Sequence, residues 1–213
     1  MKNIPALDPK VLDLVTEISK EPKVEAAMAF IKDQTEVAMQ EQIELCEIEA
    51  PTFHEEKRAA SVAERMKLYG LTDVHIDEIG NVIGIRKGTG NGPVLAIGAH
   101  MDSVFPAGTD VKVKKEGNIY RAPGIGDNCS GLRALLQVLR AMEKEDIRTV
   151  GDIWFVGTVG EEGNGDIRGS KHLCANNKLD GFVAIDSTDV GRVLYGAVGS
   201  HRWRLAVDGT GGH

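Results

Sequence analysis

The chain has 213 residues, 42% of them hydrophobic and 27% charged, and acids outnumber bases 32 to 25 for a net charge of −7. That is enough for one core of ordinary size, and without clustered Lys and Arg it excludes a nucleic-acid partner. No stretch reaches about 18 apolar residues, the N-terminus lacks an apolar leader core, and Cys46, Cys129 and Cys174 form no C-x-x-C; the expectation is a cytoplasmic protein with free thiols and no membrane span.

Residues 8–49 read as helical. Asp8-Pro9 suits an N-cap followed by Pro at the first helical position, and Val11, Leu12, Leu14, Val15 and Ile18 form a helix-spaced face. Pro22 predicts a break near Lys20. A second helical stretch carries Met28, Ile31, Val37, Ile43 and Leu45, with a break of its own. Pro51 forces a loop. A further helix spans His54 to Leu68, with Gly70 as its stop.

Strands follow at Val74–Asp77, Val82–Arg86 and Val94–Gly98, the last apolar throughout and so central. A small hairpin is expected from Val111–Lys114 and Asn118–Tyr120, turning at Glu116-Gly117. Pro123 to Gly131 is a Gly-rich loop opening a helix with Leu132, Leu135, Leu136, Val138 and Leu139. Asp152–Val159 reads as a strand buried on both faces, Ser170–Ala175 as a short helix, and Phe182–Ile185 as another apolar strand. Two more strands are expected at Val193–Tyr195 and Arg202–Val207.

Three of these strands run into metal-binding residue types: His100 and Asp102, then Glu161 and Glu162, then Asp186. Ligands in open α/β sheets bind beyond the carboxyl ends of the strands. Adjacent acids such as Glu161 and Glu162 repel unless a cation or a shared proton relieves them. An ordinary acidic loop would have the same residues, so the pair alone is weak evidence. Asp127 adds a carboxylate from the Gly-rich loop. One imidazole among carboxylates suits zinc, cobalt or manganese. In an extended segment residues i and i+2 face the same way, so Asp102 is placed to accept a proton from the ring of His100 and fix its tautomer.

The segments Gly98-Ala99-His100-Met101-Asp102-Ser103-Val104, Gly124-Ile125-Gly126-Asp127-Asn128, Gly160-Glu161-Glu162-Gly163 and Ile185-Asp186, in this order and spacing, resemble the co-catalytic zinc exopeptidases and amidohydrolases. That family includes tripeptide aminopeptidase, glutamate carboxypeptidase, aminoacylase and succinyl-diaminopimelate desuccinylase. The resemblance covers roughly residues 36–213. It implies a three-layer α/β/α sandwich with a mixed, largely parallel central sheet. It also implies two Zn2+ ions, or Co2+ or Mn2+: His100 and Asp186 on one, Glu162 on the other, Asp127 bridging. Glu161 would be the general base, Asp102 would orient His100, and the Asp127–Asn128 peptide would be cis.

Residues 1–199 would then be a catalytic domain lacking its C-terminal return segment. Residues 200–213 would begin a lid domain, with His213 contacting the scissile carbonyl and a homodimer formed through the lid. The family's last ligand, a late His, has no counterpart here, so the chain resembles an N-terminal fragment. Asp at position 186 goes with aminopeptidases and dipeptidases in that family, which implies a short peptide substrate with a free amino end. An N-acyl-amino-acid amidohydrolase or carboxypeptidase is the alternative within the enzyme class, and an inactive metal-binding fragment the alternative outside it.

Bland readings account for other residues. His54, His75 and His172 read as structural or surface, Cys129 as a small helix-start residue, and Asp77-Glu78 as solvated. The spacing Gly126 to Gly131 mimics a phosphate loop, but Leu132-Arg133 replaces the required Lys-Ser/Thr. No G-x-S-x-G occurs, which disfavours a serine hydrolase of that type.

Overall fold

The computed structural model describes residues 8–186, 191–196, 199, 201, 203 and 205–210. Four helices come first: α1 (Pro9–Ser19), α2 (Pro22–Asp33), α3 (Thr35–Cys46) and α4 (Glu56–Leu68). Asp8 caps α1, its carboxylate accepting from the Lys10 amide at 2.9 Å. Pro22 does more than interrupt: it is the first residue of α2, where its missing N–H costs nothing. The second break falls at Gln34. The apolar face expected on α1 is present but unburied, with Val11, Leu12, Leu14, Val15 and Ile18 all exposed.

The remaining elements are β1 (Asp73–Ile76), β2 (Val82–Arg86), β3 (Leu95–His100), β4 (Lys114–Glu116), β5 (Ile119–Arg121), α5 (Cys129–Lys144), β6 (Ile153–Thr158), a 3-10 turn (Gly163–Gly165), α6 (Arg168–Asn176) and β7 (Gly181–Ala184). Five strands form one sheet in the order β1-β2-β6-β3-β7. It is antiparallel along β1-β2-β6 and parallel along β6-β3-β7. The β4–β5 hairpin stands apart and starts later than expected: Val111 to Val113 lie in no strand.

The layers follow from where the apolar faces go. Leu132, Leu135, Leu136 and Leu139 of α5 pack with Val62 and Met66 of α4 and Leu45 of α3 against Val82, Ala99 and Phe155. On the other face Leu173 of α6 packs with Ile83, Ala96 and Val156, flanked by Trp154 and Phe182. β6 contributes to both cores, as its uninterrupted apolar run requires. The chain moves from β3 to β6 through α5, then back past β3 to β7 through α6. Because the direction reverses, right-handed crossovers place those two helices on opposite faces. The expected α/β/α sandwich is what the chain forms, and its parallel half carries the candidate site.

Phe155 has no exposed surface. Phe155→Ala should lower stability by about 3–5 kcal/mol through lost burial and a residual cavity. An equilibrium urea transition at the wild-type midpoint would contradict this packing.

Three expectations need correction. Val193-Leu194-Tyr195 is irregular and exposed rather than a strand. Among the described residues Trp203 and 205–207 lie in no strand either, and Trp203, Leu205 and Val207 are exposed; Arg202 and Arg204 fall outside the described residues. Asp77 is not solvated: its Oδ1 accepts from the amides of Ile79, Gly80 and Asn81 at 3.1, 2.9 and 2.8 Å. It is an Asx anchor for the β1–β2 turn. Asn81 carries that turn onward, its Oδ1 accepting from the Val159 amide at 3.1 Å just before the acidic pair.

Candidate metal centre

The parallel register decides which side chains meet. His100 is the last residue of β3 and pairs with Thr158, the last of β6; Gly98 pairs with Ala184, the last of β7. β3 and β6 therefore end level, and β7 stops two residues short of them, so that Asp186, two residues past its end, comes up beside His100. His100, Glu161 and Glu162, and Asp186 emerge at one edge, beyond the carboxyl ends.

His100 is nearly fully buried, and its Nε2 lies 3.0 Å from Asp127 Oδ1 and 3.9 Å from Asp186 Oδ1. Two triads result, each with one donor atom per residue all within 4.8 Å of one another: His100, Glu161 and Asp186, and His100, Asp127 and Glu162. All of the expected ligands are thus drawn together, and Glu161 with them. His213 lies outside the described residues.

The support of His100 differs from the expected one. Its Nδ1 is 3.0 Å from the backbone oxygen of Asp102 and 3.5 Å from the carboxylate. The carboxylate is occupied elsewhere: Oδ1 accepts from the Glu161 amide at 2.9 Å, and Oδ2 from the Glu162 amide at 3.0 Å and the Thr52 hydroxyl at 2.9 Å. Asp102 therefore ties the β3 end to the acidic turn. Burial works against its charge, but the nearby His100 ring, both amides and the Thr52 hydroxyl prevail and bring its pKa down to about 2.

Asn128 and Arg58 complete the scaffold. The Asp127–Asn128 peptide is cis, as the resemblance implies. The Asn128 side chain caps α5, accepting from the Gly131 amide at 3.0 Å, and donates to the Ile185 carbonyl at 2.8 Å. One amide thus joins the loop of Asp127 to the residue before Asp186. Only Gly fits at 131, where a Cβ would stand 2.1 Å from Asn128 Oδ1. Arg58, 1% exposed, donates to the carbonyls of Met101 at 2.7 Å and Ile48 at 2.5 Å. It braces the peptide between His100 and Asp102. The sequence reading passed over Arg58, because an Arg on an amphipathic helix normally faces solvent.

The electrostatics call for positive charge. Burial, together with Asp127 and Glu161, pushes the Glu162 carboxyl above its ordinary range. Glu161 rises through burial too, against the pull of His100. Burial lowers the His100 pKa, but Asp102, Asp186 and Glu161 outweigh it and raise the ring to about 9. A cation between these carboxylates would meet the same negative charge, and metal and proton compete for the ring. One imidazole with several carboxylate oxygens fits a borderline or hard divalent metal.

A cleft of about 280 Å³ opens beside His100, Glu161 and Asp186, its other walls including Ile167, Phe182 and Ala184. Ile167 and Asp166 both adopt left-handed backbone, φ 50° and 53°. For a β-branched residue such as Ile167 that is an outlier. It directs the chain from the acidic turn into α6.

Residues 96–199 match the profile of Peptidase family M20/M25/M40. A Pyrococcus abyssi protein named as a LysW-lysine/LysW-ornithine hydrolase is 35% identical over 56% of this chain and 32% of its own length. The crystal structure of a Staphylococcus aureus tripeptidase superposes with a TM-score of 0.59 at 31% identity, over 71% of this chain and 43% of that one. Aminopeptidase PepT from Bacillus cereus gives 0.61 at 25% identity, over 71% and 43%. The chain spans between a third and a half of the length of these relatives. The match begins in β3 and runs through β6 and β7, so the strands that carry His100, Glu161, Glu162 and Asp186 all lie in the part of the chain that is similar to peptidase family M20/M25/M40.

Proposed function

We propose that the protein carrying this chain is a metal-dependent hydrolase of amide bonds in short peptides, acting at a free amino end as an aminopeptidase or di- or tripeptidase. The observation that carries the reading is the pair of His100-sharing triads, in a cluster where burial and neighbouring carboxylates raise the pKa of Glu161 and Glu162. Two Zn2+ ions are the assigned metals, with Co2+ or Mn2+ as substitutes. His100 and Asp186 would hold one, Glu162 the other, and Asp127 both. When bound, such ions supply Lewis-acid chemistry, polarising a carbonyl and acidifying water.

The chain's own groups do the rest. Glu161, half-buried at the cleft, takes the proton of the attacking water and returns it to the leaving amine. Burial moves its pKa upward, the direction that favours a carboxyl serving first as base and then as acid. Asp102 acts from behind, holding the His100 ring and the amides of Glu161 and Glu162. His213 is assigned to the scissile carbonyl, in a lid segment beginning near residue 200, with a homodimer through that lid.

The likeness to a tripeptidase and to PepT supports the peptide substrate. The 35% identity to the protein named as a LysW-lysine/LysW-ornithine hydrolase favours a second reading, an amidohydrolase releasing a basic amino acid from a conjugate. Hydrolysis of unblocked tripeptides, measured against N-acylated lysine and ornithine after chelation and metal restoration, separates the two. Faster turnover of the acylated series would replace the peptidase reading, and turnover surviving chelation would end both.

A further inference from the structure

We propose that Glu55, locked by Arg168, is a positioning residue for the Glu161–Glu162 turn. The proposal rests on the hydrolase reading above and adds residues that no part of that reading uses.

Glu55 is the N-cap residue of α4, where a carboxylate ordinarily accepts from the first helical amides. It makes no such bond. Its side chain, 3% exposed, turns away from its own helix and reaches residues more than a hundred positions on. Glu55 Oε1 accepts from the Gly160 amide at 2.9 Å. Arg168 Nη2 stands 3.0 Å from both Glu55 oxygens. Arg168 is itself fixed twice more: Nη1 donates to the Ile79 carbonyl at 2.8 Å, and the guanidinium lies 5.2 Å from the centre of the Phe53 ring. A buried carboxylate without a cation would be costly, and Arg168 is the cation that meets Glu55.

The target of this arrangement is Gly160. Its φ of 59° is left-handed, and a Cβ there would sit 2.4 Å from Arg168 Nε. It is the pivot between β6 and the acidic pair. Rotation about it would swing both carboxylates away from His100. Three consecutive amides, those of residues 160, 161 and 162, are each bound by a buried carboxylate: Glu55 for the first, Asp102 for the others. Asp102 reports the position of β3, and Glu55 that of α4. The turn is therefore held from two independent directions, with Glu55 fixing the pivot and Asp102 fixing what it carries.

The test uses the full-length protein, with Glu55→Ala, Glu55→Gln and Asp127→Ala compared with wild type. Metal-free protein is titrated with Zn2+ by calorimetry and with Co2+ by visible absorption, and tripeptide hydrolysis is followed at steady state. Glu55→Ala should lose about 10–100-fold in kcat or in affinity for the second metal, the usual cost of removing a partner behind the ligands. KM should stay within about twofold, and the Co2+ band should shift. Glu55→Gln still presents an oxygen to the Gly160 amide and should recover most of the loss. A folded Glu55→Ala with wild-type kcat and Co2+ spectrum overturns the proposal, as does a Glu55→Gln that falls as far as Glu55→Ala. If either result comes while Asp127→Ala loses metal, the hydrolase reading stands. If wild-type protein binds no metal, both fall.

Discussion

Glu161→Gln should abolish turnover while leaving the metal content of the full-length protein nearly intact. The amide is the same size as the carboxylate and cannot take a proton from water. Losing a positioned general base typically costs about 10²–10⁴-fold. The backbone of Glu161 should stay where it is, because its amide is held by Asp102 and not by its own side chain. Metal analysis by mass spectrometry beside a tripeptide assay decides the matter. The carboxylate stands within 4.8 Å of donor atoms on His100 and Asp186, so its role as a ligand has to be tested in the same experiment. Loss of metal together with activity would make Glu161 a ligand, and the base would have to be sought elsewhere.

Asp127→Ala should lose both metals and activity together. If Asp127 bridges, its removal takes a ligand from each ion. The loss should exceed the about 10–100-fold that follows removal of a group behind the ligands. Its side chain is 60% exposed and 3.0 Å from His100 Nε2, so the change should do little to the fold. Unchanged far-ultraviolet dichroism with less than one bound ion per chain is the expected pair of results. Two tightly held ions in the variant would exclude a bridge through Asp127.

The two variants separate roles that one motif hides. Glu161 and Asp127 both face His100 and both carry one carboxylate. Geometry brings them to the same ring, whereas the chemistry assigned to them differs in whether a proton or a metal is held. Only a pairing of metal content with rate distinguishes these.

What the sequence determined by itself was whatever depends on local pattern and order. The apolar run at 153–159 suits a strand covered on both faces, and Ile153–Thr158 is such a strand. Leu132, Leu135, Leu136 and Leu139 share one helical face and are all buried. Ligands in open α/β sheets bind beyond the carboxyl ends of the strands, which places His100, Glu161, Glu162 and Asp186 at one edge from their order alone. Local pattern also misled. The stripe on α1 is apolar at helical spacing, yet periodicity records which residues could share a face and not whether anything packs on it. Val193–Tyr195 has the β-branched and aromatic residues of a strand but lies exposed and irregular, because a strand needs a partner edge as well as a propensity.

Only the tertiary structure decided how the site is held. Glu55 meets Gly160 across 105 positions, Asp102 meets Glu161 across 59, Arg58 meets Met101 across 43, and Asn128 meets Ile185 across 57. Each is a buried polar group whose partner is chosen by the fold, and no spacing rule links residues so far apart. Asp102 shows the difference within one side chain. The alternation of an extended strand correctly turned it toward His100. The third dimension then spent its carboxylate on two amides of another strand's turn and left the ring nitrogen to a backbone oxygen. A sequence lists the groups that must be satisfied; burial in a particular fold determines which of them satisfy one another.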